Sequence, residues 1–317
     1  MTYPWLNNEQ DQFLAQAGSE RMAHACLLCG PGGLGKMELA SQMAKVLLCK
    51  EGQKQSCGSC QSCRLFESGA HPDFYLLTFE LNAKTGKMRS ELIIDQVRRL
   101  NASMQLTHSI SPRKVALIYP AESMNRNTSN ALLKTLEEPQ GDAVIILVSH
   151  QASLLPATIR SRCQSIHVRL PDSQMALNWL IEEHQMEPED SRIALKASAG
   201  SPLMALEMLK DGSLEQFRSV INSLGKVQNE EAAVADVVKA WSALDQGNLW
   251  SWLSLIAANR MRRIFRLVDT TEAQRQLAKR VLKLQSLADS NRFQIGSGLR
   301  KELLLHDWLI QWSRLSG

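Results

Sequence analysis

The chain has 317 residues, with 36 Lys and Arg against 32 Asp and Glu for a net charge of +4, and 44% of its residues are hydrophobic. That length accommodates two or three domains with complete cores. So small a basic excess argues against a protein whose main work is to neutralise nucleic-acid phosphates by itself. The opening, MTYPWLNNEQDQ, lacks the apolar stretch of a secretion signal, and the longest clean apolar run, residues 144–148, is far too short to span a bilayer. A cytoplasmic protein without a membrane partner is expected.

In chain order, residues 25–29 read as a short buried strand, followed by the glycine-rich turn GPGGLGK at 30–36. Residues 36–48 keep a helical rhythm through Leu39, Met43, Ala44, Val46 and Leu47. A second strand is expected at 73–79 (DFYLLTF). Ser90 is placed to cap a helix carrying Leu92, Ile93, Val97 and Leu100. Residues 115–119 form a third strand, and Ser123 is placed to cap a helix running through Leu136. Strands at 143–148 and 165–168 complete the series. Strands alternating with helices predict a parallel sheet covered by helices on both faces.

Leu170-Pro171-Asp172-Ser173 ends this alternation, and no strand pattern follows. Short helices are expected at 175–183 and 191–199, with Pro202 as the first residue of another. A long helical tail begins near residues 211–213. In it Leu299, Leu303, Trp308, Leu309 and Trp312 recur at helical spacing, as a core or subunit-interface stripe.

Three motifs carry chemistry. The first, Gly30-Pro31-Gly32-Gly33-Leu34-Gly35-Lys36, matches the phosphate-binding pattern G-x-x-x-x-G-K between a strand and a helix. Gly30, Gly33 and Gly35 allow backbone N–H groups to turn inward, and Lys36 would reach the terminal phosphates. Met37, however, stands where a hydroxyl should bind Mg²⁺, and a thioether is a poor ligand for a hard cation. The third strand ends in Tyr119-Pro120 where acids should hold the metal and polarise water, with Glu122 three residues beyond Tyr119. Losing both parts argues against hydrolysis, while nucleotide binding through Lys36 stays open.

The second motif is Cys49, Cys57, Cys60 and Cys63, with gaps of x7, x2 and x2, which suit a closed tetrahedral structural zinc site. Cys26-x-x-Cys29 lies inside an apolar strand, where alternate side chains face opposite ways, and reads as packing. His71 reads as part of a turn leading into the second strand, not as a ligand. The third motif is Ser161-Arg162-Cys163, with Arg160 close by. By itself such an arginine is most simply a surface residue paired to an acid.

Taken together, GPGGLGK, the cysteine quartet, HPDFY at 71–75, IIDQVR at 93–98, NALLKTLEEP at 130–139 and TIRSRC at 158–163 resemble bacterial clamp loader subunits of the AAA+ superfamily. The altered ATP site and the opening YPWL are similar to the delta-prime branch of that family, not to the ATP-hydrolysing gamma/tau branch. The resemblance is dense to about residue 210 and thin beyond. It implies an AAA+ α/β domain at 1–169 with an inserted zinc module at 49–63, a helical lid at 170–210 and a helical collar at 211–317. It also implies a hetero-pentamer with gamma/tau and delta subunits that places a sliding clamp on primed DNA as part of the polymerase III holoenzyme.

In this family Arg162 would be an arginine finger directed at a neighbour's ATP. Ser149 would occupy the first sensor position, and Leu203 stands where an active subunit has its second-sensor arginine. The family usually has x8 in the first cysteine gap. Two other readings stay in play: an active gamma/tau-like motor, and a stand-alone zinc-dependent nucleic-acid binder.

Overall fold

A computed structural model describes residues 3–17, 22–51, 55–138, 141–265, 271–294 and 300–315. The chain divides into two compact units, Met1–Met175 and Ala176–Gly317.

The first unit is built on five parallel strands: β1 (Ala25–Cys29), β2 (Phe74–Leu77), β3 (Val115–Ile118), β4 (Val144–Ser149) and β5 (Gln164–His167). Their order across the sheet is β2-β3-β4-β1-β5. Register is continuous: Leu27 lies beside Leu147 on one side and Ser165 on the other. β1, β3 and β4 are buried at every position, as expected for strands covered on both faces. On one face Leu27, Ala116, Ile118 and Ile145 pack with Val97 and Leu100 of helix α4 (Ile94–Gln105) and Leu132 and Leu136 of α5 (Arg126–Glu137). The opposite face meets α2 (Lys36–Leu48), whose Leu39, Ala40, Met43, Ala44 and Leu47 are buried. Helix α1 (Asn7–Ala17) lies against α2, and α3 (Gln61–Glu67) carries the last cysteine of the quartet.

Two expected caps move. The α4 helix starts at Ile94, not after Ser90, because Leu92 is still extended and bridged to Met124. Gln96 supplies the start signal: its side chain accepts the Ile93 N–H (2.9 Å) and donates to the Thr78 carbonyl (2.8 Å). Ser123 does not cap α5, because it closes a short 3-10 turn and its carbonyl accepts the Leu92 N–H (3.0 Å). Asn125 caps instead, through the Thr128 N–H (3.0 Å). The strand expected at 73–79 is shortened at its start because Asp73 is used elsewhere, as described below.

A short helix, α6 (Ala157–Arg160), precedes β5, and α7 (Ser173–Asn178) runs into a π-helical turn at Trp179–Glu183. The second unit continues with α8 (Pro188–Ala197), α9 (Pro202–Asp211), α10 (Ser213–Gln228), α11 (Val234–Trp241), α12 (Gln246–Phe265), α13 (Glu272–Phe293) and α14 (Lys301–Ser313). It contains no strand among the described residues. Trp308 and Trp312 of α14 are buried and stacked, with ring centroids 5.3 Å apart. The Trp308 indole N–H donates to the Leu284 carbonyl (3.0 Å). Leu309 is buried with them, but Leu303 is 65% exposed and leaves the stripe, because it lies on the other side of α14. Leu299 lies outside the described residues. Among the described residues no helix is long and apolar enough to cross a membrane.

Candidate functional site

The loop between β1 and α2 keeps the phosphate-loop path but turns its charge inward. Gly35 sits at φ +79° as the residue before α2, a left-handed conformation that glycine adopts at no steric cost. A Cβ there would lie 2.2 Å from the Tyr3 ring, so that ring rests directly on the loop. Tyr3 stacks on Trp5 (centroids 5.1 Å apart), and the Trp5 indole donates to the Leu34 carbonyl (3.0 Å). Gly30 allows a second close approach: a Cβ there would meet the Val168 carbonyl oxygen at 2.1 Å. Lys36 is only 2% exposed, and its ammonium donates to the Pro31 carbonyl within the same loop. Burial pulls its pKa down to about 8, against the attraction of the Glu122 carboxylate.

The residues that end β3 and β4 hold one another. Tyr119 Oη meets His150 Nε2 at 3.1 Å, and Glu122 Oε1 accepts the His150 backbone N–H (3.0 Å). Glu122, which follows the third strand, is thereby tied to the strand next door. Burial lowers the His150 pKa, and the charge of Lys36 lowers it further. Ser149 is fully buried, and its hydroxyl accepts the Gln151 N–H (3.1 Å). Met37 is half-buried in the first turn of α2. Leu203 is half-buried in the first turn of α9, in the second unit.

Arg162 lies at the other end of the sheet. It follows α6 and precedes β5 by two residues. Since β5 runs parallel to β1, with Gln164 beside Cys26 and His167 beside Cys29, Arg162 is at the N-terminal edge and the loop at the C-terminal edge. Strand rise of about 3.3 Å per residue puts roughly 10 Å of strand between the two edges. The Arg162 guanidinium donates to the Thr158 carbonyl (3.0 Å) and pairs with Glu137 (2.5 Å) at the end of α5. Arg160 is exposed and has no side-chain partner among the described residues. Cys163 is half-buried, and burial pushes its thiol up to about 12, which suits packing and not chemistry.

The four cysteines converge. All Sγ atoms of Cys49, Cys57, Cys60 and Cys63 lie within 4.8 Å of one another, with Cys49–Cys57 at 3.6 Å, Cys49–Cys60 at 3.9 Å and Cys57–Cys63 at 4.0 Å. Tetrahedral coordination with metal–sulfur bonds of about 2.3 Å requires sulfurs about 3.8 Å apart, so the cluster fits a metal. Backbone N–H groups point at the sulfurs, from Cys57 to Cys49 (3.4 Å), Cys60 to Cys57 (3.3 Å) and Cys63 to Cys60 (3.5 Å). The Cys60 and Ser59 N–H groups hold the Cys57 thiol down to about 6. Cys26 and Cys29 are buried in β1, and burial raises the Cys26 thiol to about 11.

Sequence reasoning missed how this module is anchored. His71 is 5% exposed. Its Nδ1 accepts the Asp73 N–H (3.0 Å), so Nε2 carries the ring proton between the hydroxyls of Ser62 (2.8 Å) and Ser111 (3.0 Å). Ser62, between two of the cysteines, also donates to the Leu48 carbonyl (2.6 Å). Asp73 accepts the N–H groups of Ser109 (2.7 Å), Ile110 and Ser111 (both 2.8 Å). Burial alone would raise its carboxyl, but these three donors win and hold it below the usual range. The one available signal was HPD itself, a turn motif with two hydrogen-bonding side chains.

A parallel α/β sheet with a phosphate loop at its C-terminal edge defines a P-loop protein, here without the hydroxyl and the strand-end acids that hold a metal. Residues 6–172 match the family model described as DNA polymerase III, delta subunit. The chain is 36% identical to the DNA polymerase III subunit delta' of Pseudomonas aeruginosa over 311 residues, 98% of this chain and 89% of that protein. It is 34% identical to the Haemophilus influenzae subunit delta' over 220 residues, 69% of this chain and 65% of that one. A solved DNA polymerase III gamma subunit-related protein of Thermotoga maritima aligns over 98% of this chain and 99% of its own, at 15% identity and a TM-score of 0.44. The chain belongs to the DNA polymerase III delta-prime family.

Proposed function

We propose that this chain is a non-hydrolysing subunit of a DNA polymerase III clamp loader, and that Arg162 completes the ATP site of an adjacent gamma/tau subunit. The observation that carries this reading is position: Arg162 sits at the sheet edge opposite its own phosphate loop, so any nucleotide it serves belongs to another subunit. A permanently charged, planar guanidinium stabilises charge on a γ-phosphate during transfer. Its exposed pairing with Glu137 is of a kind worth about 1 kcal/mol or less, so a phosphate presented by a neighbour displaces it readily.

The home site supports the same division of labour. Lys36 is buried and bonded to its own loop, Tyr3 rests on Gly35, and Met37 and Tyr119-Pro120 offer no hard metal ligands. The partners are then gamma/tau and delta subunits in a hetero-pentamer in the cytoplasm, acting with a sliding clamp and primed DNA. Residues 170–210 serve as lid and 211–317 as collar. The cysteine cluster holds a structural Zn²⁺ that fixes the loop before α3 and takes no part in turnover.

The test is ATP turnover with clamp and primed DNA, comparing the chain alone, motor subunits with the wild-type chain, and motor subunits with Arg162→Ala. No turnover alone and stimulation lost in the variant is the expected result. Turnover by the chain alone, abolished by Lys36→Ala, replaces this reading with that of an active motor.

A further inference from the structure

The second unit carries a groove with no role in the reading above. It lies among α8, α10, α12 and α14 and encloses about 980 Å³. Its wall is mainly apolar: Ile221, 47% exposed, stands beside buried Phe217 and Trp312. Lys196, Arg218, Arg260 and Arg263 also line it, and no Asp or Glu does. Arg218 is spent on Asp190 and Glu215. Lys196, Arg260 and Arg263 pair with no carboxylate among the described residues, and the Arg260 guanidinium lies over the Trp312 ring at 5.0 Å.

Two further details concern close approach. Gly225 lines the groove inside helix α10, where glycine is disfavoured, and a Cβ there would meet nothing within 4 Å. The bare backbone lets a docked chain come near. Beside it, the Gln228 amide nitrogen is buried without an acceptor, a donor held ready for a carbonyl or carboxylate oxygen.

We propose that this groove docks an acidic amphipathic helix of another protein. The helix sets apolar side chains on Ile221, Phe217 and Trp312, carboxylates on Lys196, Arg260 and Arg263, and its backbone over Gly225. Helix-in-groove recognition combines these elements, and complementary charge fixes the orientation. The apolar wall disfavours a nucleic-acid backbone, and cations without a carboxylate partner disfavour the same surface of a second copy. The proposal holds whether or not Arg162 acts in trans.

The experiment selects a displayed library of random peptides of about 16 residues, roughly four helical turns, on the full-length chain. Enriched peptides are titrated by fluorescence anisotropy against wild type, Gly225→Leu and Arg263→Glu. At Gly225 a Cβ meets nothing within 4 Å, so Gly225→Leu projects into the groove and favours the helix, and thermal melting checks that its fold is retained. Enriched peptides should be net negative with apolar residues at helical spacing, and each variant should weaken them at least tenfold. Replacing their Glu by Gln should do the same. Four results overturn the proposal: no enrichment, enrichment without acidic bias, binding that survives Gly225→Leu, or displacement of the peptide by duplex DNA. A concentration-dependent dimer lost in Gly225→Leu assigns the groove to a second copy and also overturns it.

Discussion

The two edges of one sheet have opposite fates. At the C-terminal edge the functional groups hold one another: Lys36 meets Pro31, Glu122 Oε1 the His150 backbone, and Tyr119 His150, with the Tyr3 ring over Gly35, while Glu122 Oε2 and His150 Nδ1 stay buried without a partner. At the N-terminal edge Arg162 is exposed and held by one carboxylate, Glu137, and one backbone carbonyl, that of Thr158. A phosphate loop kept for its strand-to-helix turn needs its glycines but not its metal ligands. An arginine directed at another subunit needs exposure and a weak hold. The motif that looks most like an active site is therefore the one closed on its own residues, and under the proposed function the isolated arginine is the residue that acts.

The comparison breaks or sharpens in measurable ways. Arg162→Lys keeps the charge but loses the planar fork, and about a 100-fold or larger loss of turnover at the adjacent subunit's site is expected, with a smaller loss of total turnover and a large loss of productive clamp release. Near-wild-type turnover would reduce the N-terminal edge to a point charge. Asp73→Ala strands three backbone N–H groups and should cost about 2–3 kcal/mol, read as a lower urea midpoint at pH 7.

Acid should act through the same network. The Asp73 carboxyl is lowered in the fold, so its stabilisation is present above its unfolded value of 3.8 and is lost as pH falls through the folded one. The His71 ring is also lowered, by burial, so protonation below its unfolded 6.5 costs further stability. Urea midpoints should fall in two stages from pH 7 to pH 3, and the later stage should vanish in Asp73→Ala.

Lys36→Met tests the closed edge. Lys36 is held at about 8 against an ordinary 10.5. The unfolded chain therefore binds more protons between those values, and wild-type stability rises with pH across that window. At about 1.4 kcal/mol per unit this shift is worth roughly 3 kcal/mol at pH 7, from which the variant loses the bond to the Pro31 carbonyl, about 1–2 kcal/mol; a net gain is expected at pH 7, shrinking above pH 8, with clamps loaded normally. A loading defect would show that the loop still works. Cys60→Ser should lower zinc content by atomic absorption and loosen residues 55–63 while the core melts nearly as before; unchanged zinc would sink the quartet as a metal site. The smallest effect belongs to Met37→Thr, which should restore no measurable turnover, because Tyr119-Pro120 still offers no acid.

β1, β3 and β4 were legible because buried parallel strands are continuous apolar runs, and α2 because its apolar spacing follows the helical period. The cysteine quartet was legible because two-residue gaps dictate convergence. The helix starts at Ser90 and Ser123 were misplaced because a capping residue is recognised by its backbone, and both segments were committed to tertiary pairing through Leu92. Leu303 was misjudged because a stripe read at helical spacing does not say which side of the helix is covered. The anchor formed by Ser62, His71, Asp73 and Ser111 joins residues up to 49 positions apart, and no local pattern records it.

The sequence by itself determined the strand-and-helix alternation, the phosphate loop with its missing ligands, and the cysteine spacing, because each is set by neighbours a few residues apart. Only the tertiary structure decided that the strands run in the order β2-β3-β4-β1-β5, with β5 laid parallel beside β1 so that Arg162, before β5, and Lys36, after β1, lie at opposite edges of adjacent strands. Strand order is fixed by packing between distant segments, where burial of apolar faces outweighs any local preference.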